Sequence, residues 1–271
     1  MDDVHFNIKQ TRKDRITTLL ELANHTIITV EEAAVILGMP KRETAKLMSR
    51  WAGQGRLSRL KRGLYVSGKP DLANLDPWLF ATRIYHSCYI GALSAAEFWG
   101  LTDKKSPEIN VFSPRRPKNL KTVSGGIHLS VRTVPADAMF GLQSILRQHA
   151  DILVSDPART IIDFMIDPHL GGGIQNVIGI FNRYLKSGHR NVDQLFCYAK
   201  KTLNGAVLKR LGYLLEICGS GEFNVMAFCK MLETSGNIKL DPGMSADRLI
   251  TRWGLWVPAG WESNRYPSCG A

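Results

Sequence analysis

Between Lys41 and Arg62 the chain sets Lys41, Arg42, Lys46, Arg50, Arg56, Arg59, Lys61 and Arg62 against one acid, Glu43. This short segment carries a net charge of +7. Ammonium and guanidinium groups at that density bind polyanions: they displace counterions from phosphates, and a guanidinium fork also matches the acceptor edge of guanine. The whole 271-residue chain has a formal charge of +11, of which residues 1–70 supply +6. The excess therefore marks the N-terminal part rather than the molecule as a whole, and it favours a polyanionic partner.

Other chemistry is harder to place. The run Gly171-Gly172-Gly173 invites a phosphate-loop reading, but neither GxxxxGK[ST] nor GxGxxG surrounds it, and a helix entry needing positive φ explains it better. Asp156, Asp163 and Asp167 could suggest a metal site, yet Asp156 reads as a helix cap, Asp163 falls among apolar helix residues and Asp167 starts a turn. The seven histidines show no HxH or HExxH spacing, and Ser94 and Ser155 lack a nucleophile-elbow context. Five scattered cysteines form no CxxC pair, which fits small core residues in a reducing cytoplasm. The expectation is a protein without catalysis, metal or cofactor. With no long apolar run and no signal-peptide pattern at Met1-Asp2-Asp3, it is also expected to be cytoplasmic and independent of membranes.

The elements that must position the basic residues are readable. Arg12 to Asn24 has Ile16, Leu19, Leu20 and Ala23 on one face of a helix. Thr29 followed by Glu32 has the spacing of a capping box, Ala33, Ala34 and Leu37 give the next helix its apolar face, and Gly38 ends it. Pro40 suits the first turn of a further helix, on which Thr44, Leu47, Met48 and Trp51 face the core. Lys41, Arg42, Lys46, Ser49 and Arg50 are left outside, where such a helix can enter a major groove. Leu57 to Leu60 and Leu64 to Val66 are strand candidates flanking Lys61-Arg62-Gly63, and Gly63 can take the positive φ a hairpin needs. The pattern is a helix-turn-helix with a β-wing, and Arg59, Lys61 and Arg62 would lie along a phosphate backbone. A protein-binding module with a solvated basic face is the competing reading.

Ser67-Gly68-Lys69-Pro70 reads as a linker, which sets a winged helix-turn-helix domain over residues 1–67, a linker over 68–75, a larger mixed α/β domain over 76–261 and a flexible tail over 262–271. The class is α+β. Asp76-Pro77 and Asp156-Pro157 are helix starts with a cap and a proline at the first position. Ser94 to Gly100, Val192 to Lys200 and Ala206 to Cys218 are further helices. Glu108 to Phe112 and Ile127 to Arg132 alternate as half-buried antiparallel strands would, and Arg248 to Val257 returns to strand-like alternation. On the helix over Lys209-Arg210-Leu211-Gly212-Tyr213-Leu214-Leu215-Glu216, the leucines are core. Lys209, Arg210 and Tyr213 are left either to pair with Glu216 or to form a recognition surface.

Four segments in this order resemble one known family. They are Leu57-Ser58-Arg59-Leu60-Lys61-Arg62-Gly63-Leu64-Tyr65-Val66, Tyr89 to Leu101 (YIGALSAAEFWGL), Ser155 to Asp163 (SDPARTIID) and Lys209 to Leu214 (KRLGYL). Together they resemble the AbiEi antitoxins of abortive-infection systems against phage, over about residues 12 to 257. The resemblance implies a transcriptional autoregulator whose winged helix binds double-stranded operator DNA at inverted repeats. It also implies a C-terminal domain that counters a nucleotidyltransferase-like toxin without a stable complex (type IV). DNA contacts would then fall on Lys41, Arg42, Lys46, Ser49, Arg50, Arg59, Lys61 and Arg62, with Lys209, Arg210 and Tyr213 as an antitoxin surface. A DNA-tethered nucleic-acid-processing enzyme and a ligand-responsive regulator are the alternatives.

Overall fold

A computed structural model describes residues 12–22, 27–67, 76–85, 87–115, 127–147, 150–219 and 236–261. The chain divides into two units. The first comprises residues 1–86 with 121–128 and 146–152, and the second holds the rest. The linker expected at 68–75 and the tail expected at 262–271 lie outside the described residues.

The first unit runs α1 (Arg12–Leu22), β1 (Ile27–Thr29), α2 (Val30–Leu37), α3 (Lys41–Gly53), β2 (Leu57–Lys61), β3 (Leu64–Ser67) and α4 (Pro77–Ile84). Both halves of the capping box form at α2. The Thr29 amide donates to Glu32 Oε2 at 2.9 Å, and the Glu32 amide donates to Thr29 Oγ1 at 3.1 Å, so two amides left over at the helix start find acceptors. Pro40 stands one place earlier than expected, as the cap of α3, where its carbonyl accepts from the Glu43 and Thr44 amides at 3.0 Å each. β1, β3 and β2 form an antiparallel sheet in that order. The strand β1 is an addition to the sequence reading, because three apolar residues ahead of a cap give no period to recognise. Ile16, Leu19, Ile28, Val30, Ala33, Met48, Trp51, Leu57 and Tyr65 make one core. Each large side chain there contributes about 1.5–3 kcal/mol by leaving water, and Leu47 is only half-buried.

The helix α4 falls in this first unit, whereas its sequence placed it at the start of the domain over 76–261. Two polar contacts hold it. Arg83 is ion-paired with Glu32, the capping-box acid. At the other end Asp76 caps α4 through the Trp78 and Leu79 amides and accepts Arg147 Nε at 2.8 Å, while the Arg147 guanidinium lies 4.5 Å from the Trp78 ring centroid.

In chain order there follow β4 (Tyr89–Ile90), α5 (Ala92–Phe98), β5 (Ile109–Ser113), β6 (Leu129–Thr133), β7 (Leu142–Arg147) and β8 (Ala150–Ser155). After these come α6 (Pro157–Ile166), α7 (Ile174–Lys186), α8 (Val192–Lys201), α9 (Gly205–Cys218) and β9 (Ile238–Lys239), β10 (Arg248–Ile250), β11 (Leu255–Val257). Five strands form a sheet in the order β6-β5-β4-β8-β7. β5 and β6 pair in parallel, Ile109 opposite Leu129 through Ser113 opposite Thr133, where an antiparallel pair was expected. Alternation reports which face is buried, not strand direction. The stretch from Arg248 to Val257 is an antiparallel hairpin, β10–β11, joined in parallel by β9. Asp156 caps α6 as expected, accepting from the Arg159 amide at 2.7 Å with Pro157 at the first position. The core of this unit gathers Tyr89, Ile161, Phe164, Val177, Phe181, Leu211, Trp253 and Leu255 among others.

Candidate nucleic-acid interface

Burial splits α3 into two faces. Thr44, Met48 and Trp51 are 0–3% exposed, while Lys41, Arg42, Lys46, Ser49 and Arg50 are all exposed. The 3.6-residue period does this directly, since i, i+4 and i+7 point one way and the basic positions between them point the other. Lys41 is ion-paired with Glu31 of α2. The side chains of Arg42, Lys46, Ser49 and Arg50 have no hydrogen-bond or ion-pair partner among the described residues. Arg42 and Lys46 lie one turn apart in the N-terminal half of the helix.

The wing is a tight hairpin. Lys61 pairs with Leu64, so Arg62 and Gly63 form its turn, and Gly63 has φ +80°. A side chain at 63 would be strained there whatever the space around it. Lys61 thus belongs to β2 rather than to the tip. A register shift between Arg59 and Lys61 lets the Arg59 Nε–H donate to the Lys61 carbonyl at 3.4 Å. The Val30 amide donates to the Gly63 carbonyl at 3.1 Å, which ties the turn to the start of α2. Arg59, Lys61 and Arg62 are exposed, and so is Arg56 in the turn between α3 and β2, which belongs with them. Helix and wing therefore present the two elements through which proteins of this topology meet DNA, the helix to a groove and the wing to the backbone.

The three residues expected as a recognition surface in the second unit are buried instead. Lys209, Arg210 and Tyr213 are 3–4% exposed. Arg210 donates from Nε to the Leu240 carbonyl (2.8 Å), from Nη1 to the carbonyls of Met165 (2.8 Å) and Ile166 (3.3 Å), and from Nη2 to that of Lys239 (2.9 Å). Two of those carbonyls end α6 and have no partner in their own helix, so Arg210 closes α6 and fastens β9 beside it. Lys209 donates to the Gly236 carbonyl, and the Tyr213 hydroxyl accepts Trp261 Nε1 at 2.7 Å. Glu216 is engaged by Arg252 and Trp253, so the expected pairing with Lys209 or Arg210 does not form. A helix whose polar side chains all reach partners of this kind has no free face, and sequence spacing does not count backbone carbonyls.

The remaining candidates have local roles. Gly172 and Gly173 take φ +79° and +94° ahead of α7, the helix entry the glycine run suggested. The Ser94 hydroxyl sits with Asn110 and the Glu108 carbonyl, and Ser155 Oγ is 2.8 Å from Thr160 Oγ1. Each of the three acids has its own partners. Asp156 accepts the Tyr198 hydroxyl at 2.8 Å, Asp167 pairs with Arg132 at 2.8 Å, and Asp163 pairs with Arg159 at 2.9 Å. The Arg159–Asp163 pair was missed in the sequence, although its i,i+4 spacing is visible there. Burial pushes the Asp163 carboxyl up to about 6, against the pull of Arg159.

Three helices and a three-stranded sheet in the order α1-β1-α2-α3-β2-β3 make the first unit's N-terminal part a winged helix-turn-helix. Residues 18–68 match the family described as "Transcriptional regulator, AbiEi antitoxin". The other three segments of the resemblance lie outside that match. No curated protein matches the chain. Among solved structures, the crystal structure of the RV2827C protein from Mycobacterium tuberculosis is similar in fold. Its TM-score is 0.58 at 14% identity, covering 91% of each chain. Among the described residues no helix is long and apolar enough to cross a membrane.

Proposed function

We propose that the chain is the antitoxin and transcriptional autoregulator of a type IV toxin–antitoxin system of the abortive-infection kind, acting in the cytoplasm and without catalysis. Its winged helix binds double-stranded operator DNA upstream of its own operon. Arg42 and Lys46 read base edges, Ser49 and Arg50 continue the groove face, and Arg56, Arg59, Lys61 and Arg62 hold phosphates. Its second unit counters a nucleotidyltransferase-like toxin. The observation that carries the DNA reading is the run of exposed basic side chains along α3 and the wing, most of them without a partner among the described residues. A solvated face would gain from interspersed acids, and between Lys41 and Arg62 the sequence supplies only Glu43. The antitoxin half rests on the family match and on the resemblance of the segments beyond it.

Two experiments test the two halves. The first titrates the full chain with the duplex upstream of its own reading frame and with random duplex. The reading requires clear preference for the former. The second co-expresses the chain with the nucleotidyltransferase-like protein encoded beside it, and rescue of growth is the expected result. Failure of rescue with DNA binding intact would leave a regulator that is not an antitoxin.

A further inference from the structure

The second unit contains a cavity of about 560 Å³, within the range of sites that enclose small organic ligands. Its apolar wall includes Phe112, Val134, Phe140, Ile166 and Leu170. Arg159 and Asp163 also line it, each 1% exposed. The pair is only partly used. Asp163 Oδ1 accepts Arg159 Nε, while Asp163 Oδ2 is buried with no hydrogen-bond partner among the described residues. Arg159 gives one hydrogen to the Ala138 carbonyl at 2.9 Å and one to the Tyr89 hydroxyl at 3.1 Å. A guanidinium has five N–H donors, so two remain beyond these three bonds. A buried carboxylate oxygen left unpaired is costly, and native proteins seldom leave one without a reason.

The rim adds a second, independent sign. Leu203, between α8 and α9, is 95% exposed and holds φ +49°, a conformation that disfavours any side chain with a Cβ. Strain of that kind gathers at ligand clamps and switch regions. Ile166, on the same lining, is 39% exposed. Apolar side chains held open to water beside a cavity are covered when a ligand with an apolar body enters.

We propose that this cavity is a small-molecule site for a planar compound carrying a carboxamide-type edge, an N–H donor beside an acceptor. The donor satisfies Asp163 Oδ2, the acceptor takes a spare Arg159 N–H, and the ring covers Ile166 and Leu203. Nucleobases and aromatic carboxamides share that edge.

Full-length protein titrated with benzamide, cytosine and acetophenone, followed by ligand-observed NMR, tests this. Acetophenone matches benzamide in shape but lacks the donor. Benzamide or cytosine should bind at least about tenfold more tightly than acetophenone, as expected where a buried acceptor would otherwise go unpaired. Cytosine ahead of benzamide points to a nucleobase source, and the reverse order to an aromatic carboxamide. Thr133→Trp adds bulk to the lining from an exposed position on β6 that the fold does not need, and it should abolish binding of either probe. Asp163→Asn, if it folds, should erase the preference over acetophenone. Should it fail to fold, Thr133→Trp decides alone. Equal binding of acetophenone, binding that survives Thr133→Trp, or no binding of benzamide or cytosine would each overturn the proposal.

Discussion

Two sets of basic residues, one in each unit, are put to opposite uses. In the first unit Arg42, Lys46, Arg50 and Arg62 stand in water, and their charges remain available to a polyanion. In the second unit Arg159, Lys209 and Arg210 are 1–4% exposed and bond to carbonyls, a carboxylate and a hydroxyl of the same unit. A count of lysines and arginines does not separate these uses. The neighbours do: on α3 the basic positions share a face with no large apolar residue, whereas on α9 they are interleaved with leucines on a helix buried nearly all round. Clustered charge left in water stays open to a polyanionic partner, and charge embedded in an apolar helix is a fastening.

The largest expected effect breaks the fastening. Arg210→Ala leaves the carbonyls of Met165, Lys239 and Leu240 without their donor and should cost about 3 kcal/mol or more in a urea melt. Arg50→Ala, on the exposed face, should stay within about 0.5 kcal/mol in the same melt. Similar costs for the two would erase the distinction between the units.

Next comes the titration of Asp163. Its carboxyl sits at about 6 in the folded chain, raised by burial from the ordinary 3.8. A pKa raised by folding means that the protonated form favours the folded state. That contribution is complete below about pH 4 and is lost as pH rises through about 6, a change on the order of 2–3 kcal/mol. The stability of the wild type relative to Asp163→Asn should therefore fall between about pH 4 and 6 and level off above. Thermal melts of both across that range check it, and a flat difference would mean that Arg159 fully compensates the burial.

A smaller effect sharpens the reading of the binding face. Arg42→Ala should cost about 1–3 kcal/mol on the upstream duplex, as loss of one base contact does, and much less on random duplex. Competition titrations on the two DNAs decide it. Equal losses would make Arg42 a phosphate contact.

Spacing encodes short-range interactions, and these were legible in the sequence. The capping box at Thr29 and Glu32, the wing turn at Gly63 and the caps Asp76 and Asp156 all rest on contacts within a few residues, and the core positions Thr44, Met48 and Trp51 of α3 follow from helical spacing. The parallel pairing of β5 with β6 was not, because alternation is the same for either direction. Nor were the fates of Lys209, Arg210 and Tyr213, whose partners lie 29–48 residues away for the bonds to Lys239, Leu240 and Trp261. The cavity beside Arg159 and Asp163 was likewise unreadable, since its walls come from β5, β6, α6 and the ends of α8 and α9. Contacts that a fold brings together across such separations leave no local period.

The salt dependence of duplex binding tests most directly whether the exposed basic face is a DNA interface. Full-length wild type and the Arg59→Ala/Lys61→Ala/Arg62→Ala variant are titrated with the same duplex over a range of salt concentrations. Each lost phosphate contact should flatten the slope of log K against log salt by about 0.9, so three should flatten it by about 2.7, on specific and random duplex alike. An unchanged slope in the triple variant would contradict the assignment of the wing to the phosphate backbone.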